Sequence, residues 1–590
     1  MTRDELIARL SGYEWTDFEC KRAKREVPKD AYSTVSAFAN TSGGWLLFGV
    51  SEAGGRLVVS GVDPDAFDKV QDAFLTVLRS VQKLNQPVDA QAHVHELDGK
   101  RILAFHIPES PRRQKPVYLN GNPANSYIRR AARDEKVTGS ELQRFLRDSS
   151  PTPWDSELEL DIDPQSSLDF ETLNWYREQL YRRHPEKQAI DDLHEFLLEW
   201  NLAREHEGAT RLARAAILLF GTDRVVRQLL HRPVLDYQRI DTRAEDWSVE
   251  ERWHDRMVFE ENLFKTWRGL TTRFSRIAEH PFSVDPATLR RNDDPPDYIA
   301  FREASINLLI HQDYGDLNRK ASLKLFTDRT VFWNPGDSLV SRDQMLEAGE
   351  HEIRNPLLVG AFRRIGLSDQ AGTGIRAIVS NWNQLGRRPP EISNDKAGKS
   401  FELTLCKDPL VTDAMRIFQQ SIGVRLTPEQ ADILALATSQ KSISITDAAM
   451  AIGGNLRTAR ESLNYLEHQQ VLQRQDDHRY ALLDRIAALL AQFWTQQAKQ
   501  GRDQAADQVG TRPGPSQDQV RILEKTQSEQ AIGYLMTVLG RSNRTKFRDQ
   551  VLRPILEAGW LEMTIPDKPT SSKQKYRLTP LGRHILENQE

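Results

Sequence analysis

Cysteine is scarce in this sequence: Cys20 and Cys406 are the two that occur among 590 residues. Two thiols are too few for a disulfide framework, and no cluster of cysteine and histidine has the spacing of a zinc site. Such scarcity is typical of proteins that work in a reducing compartment. We therefore expect a cytoplasmic protein that folds without disulfides.

Long apolar segments are also lacking. No stretch approaches the ~18–20 apolar residues that a helix needs to span a bilayer. The N-terminus, MTRDELIARL, is charged and has no apolar signal core. The sequence therefore predicts no membrane partner.

A basic excess is absent as well, since the formal net charge is −4. Any contact with nucleic acid must then come from local patches and not from the whole surface. The composition, 39% hydrophobic and 28% charged, is that of a globular protein. A chain of 590 residues predicts roughly three to five domains.

A P-loop is missing too. Lys396 to Ser400 (KAGKS) resembles the end of one, but Ser393 stands where the first glycine belongs. The following Phe401 to Leu405 predicts a strand, whereas a P-loop must open a helix to hold phosphates. The sequence therefore excludes a P-loop motor.

The stretch from Arg302 to Gly336 is the most informative part of the sequence. Glu303 and Asn307 are four residues apart, so on a helix both side chains leave the same face. A strand-like run then ends at Asn334-Pro335-Gly336, and Gly372-Thr373-Gly374 forms a glycine-rich turn downstream. A carboxylate can polarise water, an amide can hold Mg²⁺, and the N–H groups of a loop can meet phosphate. An amphipathic helix followed by an ordinary turn would also fit these residues.

With Arg354-Asn355-Pro356, these segments resemble the GHKL ATPase fold, in the branch often called RecG-related. The resemblance covers Asp297 to Leu405 and implies binding of ATP with Mg²⁺ (or Mn²⁺). It implies Glu303 as the catalytic base, Asn307 as the metal ligand and Asn334 near the adenine. The further cofactor-binding residues that it implies are Asp313, Gly336, Arg354, Asn355, Gly372, Thr373 and Gly374. Two departures are an amide, Asn334, in place of the adenine carboxylate and Gln312 within the usual HRDY motif.

The first 150 residues carry a second pattern: Glu14, Glu19 and Lys21, then SAFANTSGGWLLFGV (Ser36 to Val50), then YIRR (Tyr127 to Arg130). This pattern resembles the Schlafen AlbA_2 domain, a family that binds nucleic acid. Some members cleave it with three carboxylates that hold a metal ion. Here the resemblance implies catalysis by Glu14, Glu19 and Lys21, with Glu14, Glu19 and Glu52 as metal ligands.

Two alternatives stay open for this N-terminal region. Ser51-Glu52 replaces the paired acids of the family, which favours binding without cleavage, whereas Glu14 and Glu19 favour a nuclease. Residues five apart in one regular strand face opposite ways, so Glu14 must precede the strand or sit on a bulge to meet Glu19. Arg129 and Arg130 belong to a basic group that could contact phosphates of DNA or RNA.

Residues 151–296 show no catalytic constellation and predict a helical connector, with one helix over Val258 to Phe274. Three helices and a hairpin over 412–484 resemble a winged helix-turn-helix. Arg457, Thr458 and Arg460 would then enter a major groove, although such a module can also bind protein.

Gln496 to Gln527 is rich in Gln, Asp, Gly and Pro without periodicity and predicts a flexible linker, and the predicted linker region spans residues 485–527. Residues 528–590 resemble the winged-helix tail of Fic-type proteins, in which Arg544, Lys546 and Arg548 form a basic cluster suited to phosphate. The predicted fold class is α/β and α+β multidomain: an AlbA-like domain (1–150), the connector, a GHKL-like sandwich (297–408) and two winged helices.

These features predict an ATP-responsive protein that acts on nucleic acid in prokaryotic defence or regulation. A metal-dependent nuclease and a non-enzymatic DNA-binding regulator are both compatible with the sequence. GHKL modules commonly pair around ATP, so the resemblance also implies a homo-oligomer.

Overall fold

The chain forms two compact units, Met1–Leu490 and Ala491–Glu590, which are described separately. The computed structural model describes residues 1–10, 16–53, 56–248, 253–278, 283–284, 291–292, 295–347, 349, 352–368, 374–475, 479–509, 517–541, 547–564, 574–579, 582–583 and 586. None of the helices in these ranges is long and apolar enough to cross a membrane. Helices and sheets alternate along the chain, and the mixed helix-and-sheet, multidomain fold class is confirmed.

Residues 1–150, here called the N-terminal region, form a four-stranded sheet with flanking helices. The helices are α1 (Arg3–Leu10), α2 (Ala31–Asn40), α3 (Phe67–Arg79) and α4 (Gly139–Asp148). The strands are β1 (Phe18–Lys21), β2 (Gly44–Phe48), β3 (Val50–Ala53), β4 (Arg56–Val59), β5 (Gln91–Leu97), β6 (Lys100–Ile107), β7 (Tyr127–Arg130) and β8 (Arg133–Lys136). The sheet order is β1-β2-β6-β5, and β1 runs parallel to β2.

Both faces of this sheet are covered. Phe48 and Phe105 pack with Phe74 of α3 on one face, and Leu6 of α1 packs on the other. Buried Asn40 ends α2, where its Nδ2 donates to the carbonyls of Val117 and Tyr127 at 2.9 Å each. One amide thereby ties α2 to the hairpin β7–β8.

Residues 151–292 add helices and short strands. The helices are α5 (Pro164–Ser167), α6 (Phe170–Arg183), α7 (Leu193–Glu199), α8 (Arg214–Phe220), α9 (Asp223–Leu230) and α10 (Leu263–Ser275). The strands are β9 (Leu158–Glu159), β10 (Ala203–His206), β11 (Ala209–Ala213), β12 (Leu235–Arg239), β13 (Asp255–Phe259), β14 (Ser283–Val284) and β15 (Arg291–Asn292). The prediction of a helix from Val258 is wrong at its start, because Val258 pairs with Asp236 in the sheet.

The central module, residues 297–408, contains α11 (Pro296–Ile310), β16 (Ala321–Leu325), β17 (Arg329–Pro335), α12 (Pro356–Arg364), α13 (Gly374–Gln384), β18 (Glu391–Asp395) and β19 (Ser400–Cys406). Its sheet has six strands in the order β13-β12-β16-β17-β19-β18. β12 runs parallel to β16, and the other neighbours are antiparallel. Two strands of this sheet therefore come from the predicted connector.

Helices cover one face of this six-stranded sheet. Alternate residues of β16 and β17 are buried, as expected for strands with one packed face. Leu323 and Phe332 share a core with Ile306 of α11, Leu358 of α12 and Ile378 of α13. The predicted sandwich of helices on a sheet is confirmed.

Residues 413–484 form a small helical bundle with a three-stranded sheet. Its elements are α14 (Asp413–Ser421), α15 (Pro428–Ser439), β20 (Ile443–Ser444), α16 (Ile445–Ala451), α17 (Leu456–His468), β21 (Leu472–Arg474) and β22 (Arg479–Leu482). The bundle packs on the central module, where Asn383 Nδ2 of α13 donates to the carbonyl of Ala451 at 2.6 Å.

The second unit contains most of α18 (Asp484–Val509), then α19 (Gln517–Lys525), β23 (Gln530–Ala531), α20 (Ile532–Val538), α21 (Arg553–Glu557), β24 (Leu561–Met563) and β25 (Lys575–Leu578). A π-helical turn, Arg548–Leu552, precedes α21. The described residues of the predicted linker, 485–527, are largely helical. Gln and Ala have good helix propensity, which the lack of apolar periodicity concealed.

Candidate functional site

A cavity of about 420 Å³, here called the central cavity, opens beside α11, β17 and α13. Five of the predicted cofactor-binding residues line it: Asn307, Asn334, Gly336, Arg354 and Gly374. Apolar side chains, among them Leu308, Phe332, Ile375 and Leu403, form part of the wall. A mostly apolar cavity with a few convergent polar groups is the usual form of a small-molecule site.

Two glycines let the backbone close around this cavity. Gly336 has φ +99°, and a Cβ there would lie 2.9 Å from Cβ of Asp313. A Cβ on Gly374 would lie 3.0 Å from Nδ2 of Asn307. A side chain at Gly336 would therefore collide with Asp313, whereas one at Gly374 would require the Asn307 amide to move by a few tenths of an ångström.

Arg354 is the charged group of the cavity wall that is held most firmly. It is buried, and its guanidinium donates to Asp148 Oδ1 at 2.6 Å and to Asp337 Oδ1 at 3.2 Å. Among the described residues, its Nε has no hydrogen-bond partner. A buried donor that is left unsatisfied costs about 1–3 kcal/mol, so this N–H favours a ligand that brings an acceptor.

Glu303 is the residue that the sequence predicts as the catalytic base. It is 8% exposed, and its Oε1 lies 3.2 Å from Nη2 of Arg302. The described residues that line the central cavity include Asn307 but not Glu303. The structure therefore places the amide of the pair on the cavity wall and the carboxylate away from it.

Asp313 and Asn355 hold the end of α11 in place and do not line the cavity. Asp313 accepts a short hydrogen bond from Arg147 of the N-terminal region and one at 3.0 Å from the backbone N–H of Gly315. Asn355 Nδ2 donates to the carbonyls of Ile310 and Gln312 at 3.0 and 2.8 Å. Gly372 and Thr373 lie outside the described residues.

Asp155 is a functional neighbour that the sequence did not single out. It is fully buried, and its Oδ2 accepts from the backbone N–H groups of Leu357 and Leu358, at 2.8 and 3.1 Å, in the first turn of α12. Burial raises the pKa of Asp155 to about 6, although these hydrogen bonds oppose the shift. The Pro at the start of α12 marks a helix N-terminus in the sequence, but nothing there identifies the distant carboxylate that caps it.

Two of the predicted catalytic residues of the N-terminal region, Glu19 and Lys21, belong to an ion-pair cluster. Lys21 Nζ lies 2.9 Å from Glu19 Oε1 and 2.7 Å from Asp30. Burial opposes the charge on Lys21, but these two carboxylates raise its pKa overall. Arg129 Nη2 lies 3.0 Å from Glu19 Oε2. Glu19 is thus neutralised by two cations.

Arg129 is buried, and it also donates to the carbonyls of Thr16 and Phe18. This placement does not suit the predicted phosphate contact, because the guanidinium is turned into the fold. Arg130 is 45% exposed in its side chain and pairs with Glu135 and Glu141 at 2.7 and 2.9 Å. It remains open to solvent and to a phosphate.

The predicted metal site is only partly described. Glu52 is exposed on β3, and Glu14 lies outside the described residues. Within the described ranges, no three His, Cys, Asp or Glu side chains converge in a way that could hold a metal ion.

The C-terminal basic residues lie on helix surfaces. Arg457 is 89% exposed in its side chain and pairs with Glu461 at 3.0 Å, and Arg460 is also exposed. Thr458 lies in the first turn of α17, where its N–H donates to Asn455 Oδ1 at 3.1 Å. Arg548 is exposed at the start of the π-helical turn, and Arg544 and Lys546 lie outside the described residues.

Several solved structures resemble the chain. A crystal structure of a protein from Corynebacterium diphtheriae is 18% identical, with a TM-score of 0.36, and the match covers 98% of this chain and 100% of that one. A solution structure of the N-terminal domain of a "Putative ATP-dependent DNA Helicase RecG-related Protein" from Nitrosomonas europaea is 28% identical, with a TM-score of 0.19, over 23% of this chain and 95% of that one. A Fic family protein from Desulfovibrio desulfuricans is 15% identical, with a TM-score of 0.11, over 54% and 95%. The comparison with curated proteins found no match.

Four family models match separate parts of the chain. Residues 143–236 match a domain of unknown function (DUF8451), and residues 518–579 match the C-terminal domain of "Filamentation induced by cAMP protein Fic-like". Residues 14–138 match "Schlafen, AlbA_2", and residues 318–405 match "Putative ATP-dependent DNA helicase recG C-terminal". The chain therefore contains a Schlafen AlbA_2 domain and a RecG-related C-terminal HATPase-like domain.

Proposed function

We propose that this is an ATP-responsive nucleic-acid-binding protein in which ATP occupies the central cavity. The HATPase-like domain implies ATP binding, and the Schlafen AlbA_2 domain suggests an interaction with nucleic acid. The observation that carries the proposal is the convergence of Asn307, Asn334, Gly336, Arg354 and Gly374 on one cavity.

The chemistry of the cavity wall supports this ligand. Apolar residues such as Phe332 and Leu403 suit a flat base, and the Asn334 amide can donate to or accept from its edge. The Asn307 amide oxygen can hold Mg²⁺ (or Mn²⁺), and the start of α13 at Gly374 offers backbone N–H groups to phosphate. Glu303 would have to turn towards the cavity to act as a base, so binding is better supported than hydrolysis.

Calorimetric and thermal titration of the full chain with Mg-ATP tests this proposal. Wild type should gain about 2.7 kcal/mol of stability at 100 times Kd. Asn307→Ala should lose most of this gain, whereas Asn318→Ala, an exposed asparagine of the same module, should keep it. The proposal that ATP binds in the central cavity would be contradicted if Mg-ATP did not stabilise the wild type. It would also be contradicted if both variants lost the same share of the stabilisation.

We also propose that the N-terminal region binds nucleic acid without cleaving it. The ion pairs of Glu19 with Lys21 and Arg129 favour this, because they already neutralise the carboxylate that a metal would need. The second candidate is a Mg²⁺- or Mn²⁺-dependent nuclease that uses Glu14, Glu19 and Glu52. Incubation of labelled DNA and RNA with Mn²⁺, with and without ATP, separates the two, and cleavage that Glu19→Gln abolishes would establish the nuclease.

The remaining parts of the chain fit a regulatory arrangement. Residues 412–484 would act as a winged helix that presents Arg457, Thr458 and Arg460 to a DNA groove, and residues 528–590 as a second such module with Arg548. ATP would draw two chains together into a homo-oligomer. A protein that combines DNA-binding modules with an ATP-responsive domain would suit a role in prokaryotic defence or regulation.

A further inference from the structure

A second cavity of about 230 Å³, here called the interface cavity, lies between the N-terminal region and the central module. Glu109, Arg112, Lys115 and Asp148 contribute from the first, and Asp337, Glu352, Lys396 and Lys399 contribute from the second. This volume is many times the roughly 10–15 Å³ of such space that one water molecule needs. It can therefore hold a small hydrated anion.

The charged side chains that line the interface cavity are unevenly distributed. Arg112 pairs with Glu352 at 3.4 Å, and Arg354 and Lys399 share Asp148 and Asp337. Lys115 and Lys396 share one carboxylate, Glu109, at 2.7 and 2.6 Å. The four cations and four carboxylates that line the cavity are equal in number, but Lys115 and Lys396 share a single carboxylate, so a local cationic excess lies at Glu109.

Lys115 is the side chain most affected by this excess of positive charge. Its side chain is 6% exposed. Burial, together with the nearby Lys399 and Lys396, lowers the pKa of Lys115 to about 8, against the opposing effect of Glu109. An anion placed between Lys115 and Lys396 would relieve this repulsion and hold the amine in its charged form.

We propose that the interface cavity is a binding site for a phosphate group, held by Lys115 and Lys396. Phosphate is a compact, multiply charged acceptor that several ammonium groups can meet at once. Free phosphate and a phosphate carried by a nucleotide share this chemistry. The site is separate from the five residues that carry the ATP proposal, although Asp337, Leu339 and Glu352 line both cavities.

Titration of the full chain with orthophosphate, at constant ionic strength set by sodium chloride, tests the site. Wild type should bind saturably, and Lys396→Gln should bind at least tenfold more weakly. Glu109→Gln removes the shared carboxylate and raises the cation excess, so it should bind at least threefold more tightly. A merely structural role for Glu109 would weaken binding or leave it unchanged, and either result would overturn the proposal, as would the absence of saturable binding.

Variants of the central cavity separate this proposal from the ATP proposal. Asn307→Ala should bind orthophosphate as the wild type does. Lys396→Gln should bind Mg-ATP as the wild type does if the site takes free phosphate, and more weakly if it takes a phosphate of the nucleotide. Simultaneous binding of orthophosphate and Mg-ATP would support free phosphate as the occupant. Displacement of orthophosphate by Mg-ATP in wild type would support a phosphate of the nucleotide.

Discussion

Arg354 Nη1 donates to Asp148 Oδ1 over 2.6 Å and so joins α4 of the N-terminal region to the wall of the central cavity. Both side chains are less than one-tenth exposed. Burial opposes ionisation of Asp148, but Arg354 and Lys399 outweigh it and lower the pKa of this carboxyl. A ligand that moves Arg354 will therefore also displace Asp148 at the end of α4.

The first prediction concerns this buried pair. Asp148→Asn leaves Arg354 and Lys399 with too little negative charge and should lower the free energy of unfolding by about 3 kcal/mol, measured by urea denaturation. Glu461→Gln, which breaks the exposed pair with Arg457, should cost less than about 1 kcal/mol. If both variants lost the same free energy of unfolding, burial would not make the pair of Asp148 and Arg354 more important for stability than the exposed pair.

The second prediction concerns Gly336. Gly336→Ala adds a Cβ that must overlap Asp313, in a backbone conformation that already disfavours alanine. We expect a loss of about 3 kcal/mol or more, with a smaller thermal shift on adding Mg-ATP. Gly386→Ala is the matched control, since it has φ +65° and open space around a Cβ, and should cost about 1 kcal/mol. A loss at Gly336 no larger than that at Gly386 would contradict the overlap.

The third prediction concerns pH. The pKa of Asp155 is raised to about 6 from 3.8, so the folded state holds a proton that the unfolded state releases. The stability of wild type relative to Asp155→Asn should therefore be highest below pH 3.8 and fall by about 3 kcal/mol as pH rises to 6. Urea unfolding at several pH values measures this difference.

Asp163 provides a control of opposite sign. Hydrogen bonds from Ser166 lower the pKa of this exposed carboxyl, so its contribution is present at neutral pH and lost as pH falls. Asp163→Asn should therefore lose stability relative to wild type as pH rises. If the stability difference from wild type changed with pH in the same direction for Asp155→Asn and Asp163→Asn, the raised pKa of Asp155 would be contradicted.

The fourth prediction concerns α17. If this helix contacts DNA phosphates, Arg460→Ala should reduce the slope of log affinity against log salt by about 1, as measured by fluorescence anisotropy with duplex DNA. Arg416→Ala on α14 removes a similarly exposed charge, 68% exposed in its side chain, and should leave the slope unchanged. Equal slopes for wild type and Arg460→Ala would assign α17 to another partner.

Local patterns in the sequence predicted several elements of the central module. The helix that carries Glu303 and Asn307, the strand that ends at Asn334 and the strand over Phe401 to Leu405 follow from residue type and spacing. The pairing of β12 with β16 was not predicted, because strand neighbours far apart in sequence leave no local signal. The helix α18 was not predicted, because the Gln- and Asp-rich composition of residues 496–509 outweighed the helical spacing of Ile486, Leu489, Leu490 and Phe493.

The cavity-lining residues were predicted because motifs preserve their spacing. Asn307, Asn334 and Gly374 needed no knowledge of the fold beyond the resemblance. The partners that fix this wall were not predictable: Asp148 and Arg354 are 206 residues apart, and Arg112 and Glu352 are 240 apart. Such ion pairs depend on how two regions dock, which no short pattern encodes.

Strands β12 and β13 have a practical consequence for dissecting the protein. A fragment that starts at residue 297 would lack both, and β16 would become a sheet edge with unpaired backbone groups. Exposed edges of this kind recruit strands from other molecules, so the excised piece should aggregate and give misleading stoichiometry. Truncations intended to isolate nucleotide binding should therefore begin upstream of Leu235.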